Sequence, residues 1–344
     1  MQRVFGTLLY GEFGFTIHMS GTNISNMINR KQDVITSKYL LKKKQNLKIY
    51  EFIENKLSEG GRELFKDCST FNQFIATKDK EKMKRTKGND CKNRFCPICA
   101  WRKACKDAMK IATMMEAIKC EEKKEFLFLT LTTPNIKDDA VRSEIDRFNK
   151  AFKKLFDRAK VKKSIKGYIR KLEMTYNKER GDYNPHFHVL LCVDKNYFKR
   201  KELYIKQKEW LSMWQEATDS LEITQVHIQK VELIREGNAV SEIAKYSAKD
   251  YEMSVSREVF DVFYSALKGR QLIVYGGMFK EYALKYENDE LDEYKTKDKN
   301  EYFYKIIARW NSDLLKFHQE CVELTEAEQL QYNGSLQEEI ELEE

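Results

Sequence analysis

Three cysteines fall within nine residues in Cys91-Lys-Asn-Arg-Phe-Cys96-Pro97-Ile98-Cys99, and no other stretch restricts the folding of this chain so tightly. The last two form a Cys-Pro-x-Cys knuckle, whose tight turn lets both sulfurs face one ion. A tetrahedral zinc requires a fourth ligand. Cys68, in Asp67-Cys68-Ser69, is the best candidate; Cys105 is the rival, six residues beyond Cys99 on an expected helix from Trp101 to Met115. Buried free thiols are a poor alternative at this spacing. Redox use of Cys96 and Cys99 is disfavoured because no thioredoxin-like strand precedes them. The spacing therefore predicts a structural Zn²⁺ on Cys68, Cys91, Cys96 and Cys99, while Cys120, Cys192 and Cys321 stand alone and read as incidental.

That reading presumes a reducing compartment, where eight cysteines do not form a disulfide framework. The mildly apolar segment from Val4 to Ile17 is interrupted by Glu12 and several glycines, and no small-residue cleavage site follows a charged start. No stretch approaches the roughly 18 uninterrupted apolar residues of a membrane span. The expected location is the cytoplasm, away from membranes. With 344 residues and 42% hydrophobic content, the chain can bury one large core or two smaller ones. Its formal net charge is +8, but residues 321–344 hold eight of the 54 acidic side chains and no basic one, leaving residues 1–320 with 62 basic against 46 acidic groups, a net +16. Basic clusters at Lys42 to Lys44, Lys78 to Lys87 and Lys153 to Lys171 suit a polyanion such as nucleic acid. The acidic tail reads as solvated.

Beyond the cysteines, hydrophobic periodicity sets out an order of elements. Phe126 to Thr133 reads as a strand, and Asp138 or Asp139 as the cap of a helix with the stripe Val141, Ile145, Phe148, Phe152 and Leu155. A hairpin follows, with arms Gly167 to Tyr176 and His186 to Val193 and a polar turn from Asn177 to Asn184. A second helix over Lys199 to Ala217 turns Leu203, Trp210, Leu211 and Trp214 inward; a strand follows at Ile223 to Ile234, then a helix over Ala239 to Tyr251. Strand, helix, strand, strand, helix, strand is the split βαβ order of ferredoxin-like folds, an α+β class in which helices cover one face of an antiparallel sheet.

In Asn184-Pro185-His186-Phe187-His188-Val189, the two-residue repeat of a strand sends both histidines to one face, about 7 Å apart, where they can converge on one ion. The chain has only five histidines, and His18, His227 and His318 stand alone. Glu173, on the preceding hairpin arm, is the candidate third ligand, since a carboxylate facing apolar strand neighbours is otherwise costly; Asp182 in the turn is the fallback. Two imidazoles and a carboxylate leave positions open for a phosphate oxygen and water, which suits Mg²⁺ or Mn²⁺. In Ser241-Glu242-Ile243-Ala244-Lys245-Tyr246-Ser247-Ala248-Lys249, helical spacing puts Glu242, Tyr246 and Lys249 on one face.

Taken in order, Phe128-Leu-Thr-Leu-Thr132, Pro185-His186-Phe-His188 and Tyr246-x-x-Lys249 resemble the three motifs of HUH endonucleases. Glu242 four residues before the tyrosine, with a cysteine cluster upstream, is similar to the Gram-positive rolling-circle plasmid initiators that use one tyrosine and one glutamate. Arg270-Gln-Leu-Ile-Val-Tyr-Gly276-Gly277 also resembles that family, and the likeness covers roughly residues 65–285. It implies a ferredoxin-like or RRM-like HUH nickase core over 120–260, a zinc-binding module over 61–115, a mostly helical C-terminal region with an acidic tail over 261–344, and an N-terminal region over 1–60 without an assigned role.

The resemblance further implies that Tyr246 attacks a scissile phosphate, leaving a 5′-phosphotyrosine and a 3′-hydroxyl that primes a host polymerase. It casts Lys249 as stabiliser of developing charge and Glu242 as general base at termination. The implied partners are plasmid origin DNA, as a single-stranded or hairpin nick site with flanking duplex, together with a host helicase and DNA polymerase; a homodimer is compatible with all of this. Duplex reading falls to the cysteine module, the basic residues from Lys80 to Arg94, or the C-terminal region. An HUH transposase or relaxase shares the chemistry, and a non-catalytic zinc-containing DNA-binding regulator is the reading from another class.

Overall fold

The computed structural model describes residues 24–232, 238–244 and 250–342. The first elements along the chain are helices α1 (Ile24–Ile53) and α2 (Glu59–Asp67), strands β1 (Phe71–Thr77) and β2 (Met83–Gly88), and helix α3 (Pro97–Glu122). Next come β3 (Lys124–Thr132), α4 (Val141–Phe156), α5 (Ala159–Ser164), β4 (Ile165–Asn177), β5 (Asp182–Asp194), α6 (Gln207–Thr218) and β6 (His227–Val231). The remainder is α7 (Asn238–Ala244), α8 (Asp250–Met253), α9 (Arg257–Leu267), β7 (Ile273–Gly277), α10 (Met278–Glu287), β8 (Tyr302–Asn311), β9 (Lys316–Glu323) and α11 (Glu326–Tyr332).

A five-stranded antiparallel sheet in the order β6-β3-β5-β4-β7 carries the expected split βαβ unit, with β7 added at one edge. Helices cover both of its faces, not one. On the first, Phe187 of β5 stacks on Phe148 of α4 at 4.3 Å, and Phe148 meets Trp214 of α6 at 5.1 Å. On the second, α3, α7 and α10 pack against the strands, and α3 packs against both α7 and α10. A strand covered on both sides has no solvent face to keep polar. That is why every residue from Phe187 to Val193 is buried, and why Phe126 to Leu131 reads as a nearly unbroken apolar run.

The α4 stripe is buried as its period dictates. Asp138 and Asp139, expected to cap it, instead lie in a 3₁₀ turn, and Ala140 occupies the cap position without a side-chain bond. The hairpin is tighter than its polar composition suggests: Asn177 already pairs with Asp182, and Gly181 takes φ +59° to close the turn. Helix α6 begins at Gln207 and not at Lys199, because the intervening residues fold into turns fixed by Ile205 N–H donating to the Tyr197 hydroxyl at 3.1 Å. Strand β6 is shorter than the expected Ile223 to Ile234.

A second antiparallel sheet, in the order β2-β1-β8-β9, joins the cysteine-bearing region to the C-terminal one. The expectation of a mostly helical segment over 261–344 gives way to a mixed one, since β7, β8 and β9 fall within it. The regions expected as 61–115 and 261–344 therefore share one sheet. The acidic tail is not simply solvated. Asp298 N–H donates to Ser335 O at 2.8 Å, Gln337 N–H to Thr296 O at 2.9 Å and Ile340 N–H to Cys105 O at 3.0 Å, and Leu342 is buried. Arg102 lies 3.8 Å from Glu339, and Lys38 pairs with Glu341. Among the described residues no helix is long and apolar enough to cross a membrane.

Candidate metal centres and the surface that carries them

The four thiols named from spacing meet at one point. Cys68 closes α2, Cys91 follows β2, Cys96 is the N-cap of α3, and Cys99 lies in its first turn behind Pro97. Cys68 Sγ lies 3.5 Å from Cys99 Sγ and 3.6 Å from Cys96 Sγ, and Cys91 Sγ lies 3.7 Å from Cys99 Sγ. Four sulfurs about 2.3 Å from a zinc-sized ion stand about 3.8 Å apart in a tetrahedron, so the group could hold such an ion. Cys105 is buried outside it. The loop into Cys91 is fixed by Arg85, which donates to both oxygens of Asp90 at 2.9 and 3.0 Å and to Asn72 Oδ1 at 2.7 Å.

Lys43 supports the cluster from α1. Its amine is fully buried and donates to Lys66 O and Cys68 O at 2.7 Å each and to Asn46 Oδ1 at 3.2 Å, while Asn46 Nδ2 donates to Cys96 Sγ at 3.4 Å. Burial pulls this amine below the usual lysine range, with Cys68 and Cys96 opposing. Lys42 is buried too, so the run Lys42 to Lys44 is not the basic surface its composition suggested; Lys44 alone is exposed. Likewise Arg85 is internal, which removes it from the set available to duplex DNA, whereas Arg94 is exposed and donates to the carbonyls of Leu267 and Arg270.

The second cluster depends on hairpin register. Glu173 pairs with His186 and Lys171 with His188 across β4 and β5, while Thr132 and Thr130 face the histidines from β3. Glu173 Oε2 lies 3.1 Å from His188 Nε2 and 3.7 Å from His186 Nε2. His186 Nδ1 lies 3.1 Å from the Asn184 carbonyl, so its proton belongs there and Nε2 is left with a lone pair. His188 Nδ1 sits 3.4 Å from Thr130 Oγ1. Burial opposes ionisation of Glu173, but the two imidazoles outweigh it and hold the carboxyl below its usual range; burial also opposes the His186 cation, and Glu173 outweighs that and raises the imidazole. Glu173 Oε2 is buried without a hydrogen-bond partner among the described residues. One carboxylate oxygen and the two imidazoles offer ligand atoms within 4.8 Å of one another, a set that could hold a cation. Asp182, the fallback ligand, is engaged with Arg180 at 2.9 Å and stands outside the cluster.

Tyr246 and Lys249 lie outside the described residues, but both flanks of 245–249 are described. Lys171, buried on the cluster's face, places Nζ 3.4 and 3.5 Å from the carbonyls of Ile243 and Ala244 in α7. Glu252 of α8 accepts the Tyr176 N–H at 2.8 Å. These two anchors sit on β4 on either side of Glu173. Glu242, on α7, acts electrostatically on both His186 and Lys171. Sequence reasoning missed Lys171 as an anchor, although it shares the two-residue period of Glu173. The lone His227 is exposed beside Gln229, and His318 lies on β9; His18 lies outside the described residues.

The family whose model is described as "Replication protein" matches residues 82–317. A "Protein rep" of Staphylococcus aureus is 53% identical over 222 residues, spanning 64% of this chain and 96% of the relative. One from Streptococcus pneumoniae is 35% identical over 233 residues, at 64% and 73% coverage, and one from Bacillus amyloliquefaciens 36% over 242 residues, at 64% and 71%. No solved structure matches this chain. A match over well over half of the sequence, with both residue clusters inside or adjoining it, shows that the chain belongs to the replication protein family, as a plasmid replication initiator of the Gram-positive type.

Proposed function

We propose that the protein starts rolling-circle replication by nicking one strand of the plasmid origin, with Tyr246 as nucleophile. The phenolic oxygen attacks the scissile phosphorus in line, a 5′-phosphotyrosine bond forms as the bond to the 3′-oxygen breaks, and the freed 3′-hydroxyl primes a host polymerase. At neutral pH a phenol of pKa about 10 is ionised to roughly one part in a thousand, a deficit of about 4 kcal/mol. Lys249 offsets part of it by stabilising charge as it develops. Glu173, His186 and His188 would hold Mg²⁺ or Mn²⁺, which when bound supplies Lewis-acid polarisation of a phosphate oxygen. Glu242 acts as general base toward water at termination, where a two-tyrosine relative uses its second tyrosine. Cys68, Cys91, Cys96 and Cys99 hold a structural Zn²⁺. The nickase core occupies 120–260, and a host helicase supplies unwound strand.

The observation that supports this most directly is that both flanks of 245–249 are tied to β4 on either side of Glu173 along the strand, α7 through the Lys171 amine and α8 through the Tyr176 N–H. The test is incubation with labelled single-stranded origin DNA and Mn²⁺. We expect an adduct that survives denaturation, is lost on chelation, and is absent from Tyr246→Phe, which still binds the DNA. A wild-type protein that binds DNA but never forms the adduct is a regulator and ends this reading. Glu242→Ala is expected to preserve the first nick while impairing termination; equal loss of both steps would refute its role.

A further inference from the structure

On the sheet face opposite Glu173, His186 and His188, a cavity of about 530 Å³ opens between α4, α5 and the start of β4. Its lining includes Lys153, Lys162, Lys166 and Arg170 against a single acid, Asp157. The guanidinium of Arg170 lies over Phe152 at 4.9 Å and Phe187 at 4.5 Å. Its Nε is buried with no acceptor, and among the described residues no carboxylate pairs with it. Burial pulls this guanidinium down to about 10. A half-buried arginine normally offsets its desolvation with a carboxylate. Here the aromatic faces hold the planar group in position, and its hydrogen-bonding edge meets no protein acceptor. Lys166 reaches Asp194 at 3.3 Å and Lys162 reaches Asp157 at 3.0 Å, which neutralises both in part, while Lys153 is exposed and free of ion pairs among the described residues.

We propose that this cavity is a second phosphate-binding site, in which Arg170, Lys153 and Lys162 take a backbone phosphate of DNA on the side of the sheet away from the two-histidine cluster. The chemistry required is a planar donor fork with lysines at the rim, which suits a phosphodiester anion. Among phosphate sources, DNA is favoured by the chain's formal net charge of +8 and by the grouping of four basic side chains with one acid along this cavity. The site takes DNA as its ligand from the protein's membership of a replication family and does not depend on the nicking chemistry.

The test uses the full chain and a fluorescein-labelled oligonucleotide, with anisotropy read across a salt series. Lys153→Glu combined with Lys162→Glu changes two exposed side chains and keeps the core. It should weaken binding about tenfold and lower the slope of log affinity against log salt by about one for each phosphate that the protein ceases to neutralise. Arg170→Met should act in the same direction while Arg170→Lys restores part of the binding, and calorimetric melting of each variant reports whether the fold is kept. Unaltered affinity and slope in that variant would overturn the proposal. So would calorimetric saturation by inorganic phosphate alone with DNA binding untouched, which would mark a small-anion site. If the wild-type chain forms no adduct, the nicking mechanism fails while the affinity series still decides this site.

Discussion

A lysine amine with no exposed surface is costly unless each of its protons is placed, and Lys43 places them on two carbonyls and an amide oxygen. A dication held by the four thiolates would carry two net negative charges, one of which a buried ammonium would offset. Lys43→Met should therefore destabilise the protein by about 3 kcal/mol, read from the urea midpoint, because it leaves buried acceptors without donors. An unchanged midpoint would contradict this account. The position is legible in principle: Tyr39, Lys43, Asn46, Ile49 and Ile53 follow helical spacing and are all buried. Reading by composition hides it, since two of the five are polar and the lysine sits in a run of three. Glu173, His186 and His188 are legible because strand alternation and hairpin pairing are short-range rules. Lys171 is not, because its partners lie more than 70 residues away in α7.

At the scale of elements, the strands and helices with strong periodicity, β3, β4, β5 and α4, can be read directly. Those depending on distant partners cannot. Strand β7 shows in the sequence only as a family-like stretch, and its function is to pair with β4. Its last residue turns the chain into α10 at φ +56°, where an added Cβ would come within 2.4 Å of the Lys166 carbonyl oxygen. Gly277→Ala should cost about 2–4 kcal/mol through left-handed strain and backbone overlap, measured by thermal or chemical denaturation. Retention of full stability would mean that the β4–β7 edge relaxes freely. The sheet β2-β1-β8-β9 escapes sequence reading for a related reason. Strand β9 is largely exposed and polar, and β1 finds its partner β8 more than 200 residues further on.

Across the whole molecule, helices α1 and α3 and the last acidic residues are held together. The tail from Ser335 to Leu342 lies against Lys38, Arg102 and Cys105, and Leu342 is buried there. Removing residues 335–344 should lower stability by about 2 kcal/mol, chiefly from exposed apolar surface, because partly exposed ion pairs contribute little. The melting temperature of the truncated chain checks this, and one identical to the full chain would show that the tail merely rests on its neighbours.

Pairing of β1 with β8 also sets an order of events during synthesis. The hairpin that leads into Cys91 leaves the ribosome early, yet one side of β1 finds no hydrogen-bonding neighbour until residues 302–311 have emerged. A nascent chain must carry that open strand edge while the whole two-histidine sheet is translated, which makes the interval before β8 appears the period of greatest exposure to misassembly.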